Sequence, residues 1–104
     1  MNLARKLAAM FGGKEVCNNL AWEIGKTYLI RTVTMNDTGR LVMVTPQELV
    51  LEDAAWIADT GRFADAVKNA TFGEVEPFPD GKVVIGRGSI IDAVQIKVSP
   101  RSQK

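Results

Sequence analysis

The chain has 104 residues, which suits one small domain with a single core and leaves little room for a second. Its 13 Lys and Arg balance 12 Asp and Glu, so a net charge of +1 excludes the global basic field of a nucleic-acid coat, and any anionic partner must be met by a local patch. With no histidine and one cysteine, Cys17, there is no internal disulfide, no Cys/His metal site and no histidine-based acid–base or nucleophilic chemistry.

Leu3, Leu7, Met10 and Phe11 recur at helical spacing behind Asn2, an N-cap residue type, and Gly12-Gly13 stops the run. The spacing predicts a short amphipathic helix. Its apolar stretch is too short for a signal-peptide core or a membrane span, so a cytoplasmic, reducing setting with no membrane partner is expected. From Gly25 the character changes: "KTYLIRTVTM" reads as a half-buried strand, "NDTG" as a turn, and "GRLVMVT" and "ELVLEDAAWI" as two further strands parted by "TPQ", where Pro46 cannot donate to a ladder.

Residues 58–72 break the pattern. Phe63, Ala66 and Val67 stand at i, i+3 and i+4, as in about two helical turns or an irregular insert. Pro77, Pro79 and Asp80-Gly81 then predict a sharp turn, "KVVIGRG" and "SIIDAVQIKV" two last strands, and Pro100 with the polar "RSQK" a frayed end. The expected architecture is mainly β and a single domain: N-terminal helix and linker over 1–24, a small closed or nearly closed barrel of five bent strands over 25–98, and a tail over 99–104. Closure would remove the edges on which strands aggregate.

Two stretches carry more than periodicity. "GKTYLIRT", "GRLVMVT" and "ELVLEDA" in series, followed after a variable stretch by "VVIGRGSIIDAV", resemble in order and pattern the two motifs of the Sm-like superfamily, small bent-strand barrels that assemble into rings and bind RNA. The resemblance spans roughly Gly25 to Val98. An SH3-like or OB-like barrel would also show five short strands. The resemblance implies a non-enzymatic homo-oligomeric ring of five to seven subunits, without cofactor or metal, that binds single-stranded RNA. It implies that Arg87 and Gly88 face the pore beside the turn holding Gln47 and Glu48. A guanidinium can stack on a base or fork onto phosphate, and a glycine lets backbone come close.

The family's acidic, stacking and amide positions correspond here to Thr45, to Pro46 or Gln47, and to Glu48. Those departures support a rival reading: a ring used as a protein-interaction scaffold that has lost its RNA pocket. In that reading Arg87 pins its loop through an ion pair with Glu48 or Asp92. Gly86 and Gly88 are expected as backbone requirements, Gly39 as a turn or bend residue, and Trp22 and Trp56 as core or interface packing. Glu52-Asp53, Glu74, Glu76 and Asp92 have the spacing of solvated faces, not of paired catalytic acids. Lys82, Lys97, Arg101 and Lys104 would multiply into a basic surface if one ring face carries them.

Overall fold

The computed structural model describes residues 21–104. The helix expected over residues 2–11, most of the linker behind it and Cys17 lie outside the described residues. The elements are β1 (Thr27–Thr32), β2 (Asn36–Val44), β3 (Glu48–Asp59), α1 (Phe63–Asn69), β4 (Glu74–Pro77), β5 (Val83–Gly86), a single 3-10 turn (Arg87–Ser89) and β6 (Ile90–Ile96). All pairings are antiparallel, in the order β4-β3-β2-β1-β6, with β5 also paired to β3. Among the described residues no helix is long and apolar enough to cross a membrane.

Successive strand residues face opposite sides of a sheet, and here both sides are covered. Tyr28 and Ile30 point into one core with Leu41, Leu49, Leu51, Ala54 and Ile85. Leu29, between them, points into a second core with Ala55, Ile57, Phe72, Val75 and Ile96. This explains why β1 reads as an unbroken apolar run. The insert supplies the second cover: Ala66 of α1 and Phe72 behind it are both buried there.

Strand β3 is the pivot. Residues Glu48 to Leu51 pair with β5 and Ala55 to Asp59 with β4, and the chain bends between them at Asp53, whose φ of 53° is in the left-handed region. Gly39 of β2 makes room for the bend, for a Cβ there would lie 2.8 Å from Leu51 Cβ and 3.3 Å from Ala54 Cβ. Backbone groups at the bend find partners from two other segments, the loop 78–81 and the C-terminal stretch. Ala54 N–H donates to Gly81 O (2.8 Å), Phe78 N–H donates to Ala54 O (3.0 Å), Ser99 Oγ donates to Asp53 O (2.6 Å), and Arg101 donates to both Ala54 O and Phe78 O.

The sheet is open, not the closed or nearly closed five-stranded barrel expected from sequence. Among the described residues β5 pairs with β3 and β6 with β1, each on one side only, because the 3-10 turn between them carries the chain from one edge to the other without a ladder. The described residues form six strands, since Glu74–Pro77, expected as part of a turn, pairs with β3; Pro77 is its last residue, where a missing donor costs little. "NDTG" is not the turn but the start of β2. The chain reverses at residues 33–35 instead, closed by Thr32, whose hydroxyl donates to Met35 O (2.8 Å) and accepts from Met35 N–H (3.1 Å). Gly39 is thus a mid-strand residue required by close approach.

The tail is docked, not frayed. Besides the Ser99 and Arg101 bonds, Lys104 exchanges both backbone hydrogen bonds with Val75 (2.9 and 3.0 Å), covering the outer edge of β4. Gly39→Ala should lower stability by about 1–3 kcal/mol through overpacking against Leu51, read as a lower urea midpoint. Gly88→Ala, whose added Cβ meets nothing within 4 Å, should leave that midpoint unchanged.

Candidate functional site

Two turns meet at one end of the sheet. The first, Thr45 to Glu48, joins β2 to β3 and is closed by its own threonine. Thr45 N–H donates to Glu48 O (2.9 Å), and Thr45 Oγ1 accepts from the N–H groups of Gln47 (3.3 Å) and Glu48 (2.9 Å). A hydroxyl there does the local work that an aspartate carboxylate would do, which accounts for Thr45 physically. Pro46, Gln47 and Glu48 are left exposed.

The second turn is the 3-10 segment Arg87–Ser89, in which Ser89 Oγ donates to Gly86 O (2.7 Å). Three links join it to the first. Glu48 is the register partner of Gly86, Arg87 N–H donates to Gln47 O (2.9 Å), and Arg87 Nη1 donates to Thr45 O (2.8 Å) across a separation of 42 residues. The structure therefore brings Gln47, Glu48, Arg87 and Gly88 together.

The expected partner Asp92 is engaged elsewhere. Arg31 grips it with a fork, Nε to Oδ1 at 2.7 Å and Nη2 to Oδ2, and this hydrogen bonding holds the Asp92 carboxyl below its usual range. The same guanidinium lies 5.3 Å from the centroid of the Phe63 ring, so it links β6 to α1. Both ends of the Arg31–Asp92 pair are exposed, which limits what it adds to stability. Glu52 and Asp53 share Arg40 at 3.2 and 3.5 Å on an exposed face, and no group of three His, Cys, Asp or Glu able to hold a metal occurs among the described residues.

The glycines flanking Arg87 correct an expectation. Neither has positive φ, and a Cβ on either would meet nothing within 4 Å, so neither backbone strain nor internal packing requires glycine there. The space before the turn is open. Trp22 packs edge to face on Tyr28 at 5.2 Å against the first core, as expected. Trp56 is 41% exposed on β3, so it is not a core residue. Arg101 is spent on carbonyls at the β3 bend, leaving Lys82, Lys97 and Lys104 of the expected basic set at the surface.

Sequence reading missed Asp37. It lies in the middle of a tetrapeptide read as a turn. Within β2 it is 3% exposed, and its Oδ1 accepts no hydrogen bond from the described residues. Loss of hydration disfavours the ionised form and pushes the carboxyl up to about 6.

No protein-family profile, curated protein or solved structure matches the chain.

Because the folded carboxyl of Asp37 titrates at about 6 and its ordinary value is 3.8, the native state holds its proton more tightly than the unfolded chain. Stability from this group is complete below the ordinary value and is lost as the pH rises through about 6, by on the order of 3 kcal/mol. Denaturant unfolding between pH 4 and pH 8 should show this slope, and Asp37→Asn should remove it.

Proposed function

We propose that the protein is a non-enzymatic, Sm-like module that assembles into a homo-oligomeric ring and holds single-stranded RNA at the junction of its two turns. The observation that carries this reading is the convergence of Gln47 and Glu48 with Arg87 and Gly88, since the segments resembling the two family motifs are far apart in sequence and share one end of the sheet. The strand order adds support: first and last strands are neighbours, and a long bent β3 is shared by the strands before and after it. Two glycines without an internal role leave the approach to Arg87 open, as a base or phosphate would need.

The unpaired sides of β5 and β6 provide the means of assembly. Joined antiparallel between neighbours, they would continue the sheet around a ring of five to seven copies and satisfy both edges. A ring repeats one weak pocket, so successive nucleotides are bound at high effective concentration.

One observation favours the scaffold reading instead. The Arg87 guanidinium is half-buried and already donates to Thr45 O, while Val84, Ile91 and Phe63 are exposed large apolar side chains on β5, β6 and α1. The two readings part in one experiment: anisotropy of labelled oligo-U and oligo-A at two salt concentrations, for the wild type and Arg87→Ala at matched oligomeric state. RNA binding should be saturable, weaken with salt, and fall by about 10-fold or more in the variant. An intact ring that binds neither oligonucleotide would assign the protein to scaffolding, with Arg87 as the tie between the turns.

A further inference from the structure

A second site lies beside the Arg87 turn and belongs to neither reading. The tip of the β1–β2 hairpin leans against β5 and the 3-10 turn, held by a hydrogen bond from Val33 N–H to Ser89 O (3.0 Å), and a cleft of about 340 Å³ is left between them. Met35, Phe78 and Ile85 give it apolar walls, and Thr34 and Ser89 also line it. Asp37 also lines it and is the one charged residue among the described residues that does.

That carboxylate is the unusual element. It is almost wholly enclosed, and its Oδ1 accepts no hydrogen bond from the described residues. A buried carboxylate with an unsatisfied oxygen is costly, and the cost is relieved most by a positive charge that also donates hydrogen bonds. An anion is repelled, and a purely apolar ligand would leave the carboxylate as it is. The cleft volume suits a small head group with a short apolar body. We infer that the cleft between the β1–β2 hairpin and β5 binds a cationic head, an ammonium or amidinium carried on an apolar stem, with Asp37 as its counter-ion and Met35 and Phe78 against the stem. This inference does not depend on RNA binding.

The head could belong to a free small molecule or to a lysine or arginine side chain of a second copy, and one experiment separates these. The full chain, 13C-labelled at aspartate carboxyls and methionine methyls, is titrated with benzamidine and with butylamine, and in parallel with benzoate and butyrate. Binding predicts saturable shifts at Asp37 and Met35 with the cations and none with the acids, and a loss of at least about 10-fold in affinity in Asp37→Asn. A dilution series of the protein alone gives the source. An Asp37 signal that moves with dilution, together with an oligomer weakened by Asp37→Asn, assigns the cation to a neighbouring copy. A signal constant on dilution but titrated by benzamidine assigns it to a free ligand. The inference is overturned if millimolar cations leave both signals in place and dilution moves neither, or if benzoate binds as well as benzamidine does. The acid comparison is made on the wild type, so it holds even if Asp37→Asn fails to fold.

Discussion

Most of this structure depends on how the backbone is satisfied where β3 bends. A strand that changes partners half-way exposes peptide groups that neither ladder can use, and leaving one buried and unpaired costs roughly 1–3 kcal/mol. Here residues from the 78–81 loop and from the C-terminal segment converge on Asp53 and Ala54 to supply the missing partners. Gly39 across the sheet provides the clearance. The bend lets one long strand serve both β5 and β4, so one sheet can wrap around the first core while its other face accepts the helical insert.

The same bend positions the turns. Because β5 is registered on the first half of β3, Gly86 is set against Glu48, and the residues that follow meet the residues that precede Glu48. Arg87 then fastens the junction through hydrogen bonds from its backbone N–H and its guanidinium. The site is therefore framed by a rigid pairing. The exposed side chains of Pro46, Gln47 and Glu48 can differ without disturbing that frame, since Thr45 closes its own turn.

What was legible in the sequence follows from range. The apolar, β-branched runs from Tyr28 to Ile30, Leu49 to Leu51 and Val83 to Ile85 fix strands by local preference alone, and the Phe63, Ala66, Val67 spacing marks α1. Convergence of the Arg87 turn with Gln47 and Glu48 was approached only through the ordered motifs, since pattern along a chain carries no pairing. Asp37 and Gly39 were misread because Asn-Asp-Thr-Gly has turn chemistry, and only the packing of Leu51 and Ala54 makes it strand. The tail looked frayed because its partners, the carbonyls of Asp53, Ala54 and Phe78 and the backbone of Val75, are main-chain groups that no side-chain pattern announces.

The seat of Lys104 on Val75 has a consequence for how copies can add to one another. A sheet with two long bare edges can grow without limit, and open-ended growth is how strand addition becomes a fibre. Here Lys104 covers part of the β4 edge by its backbone pair with Val75, so that among the described residues the four residues of β5 remain bare on that side of the sheet. On that side of the sheet, a strand added from outside could therefore run a ladder little longer than β5 itself.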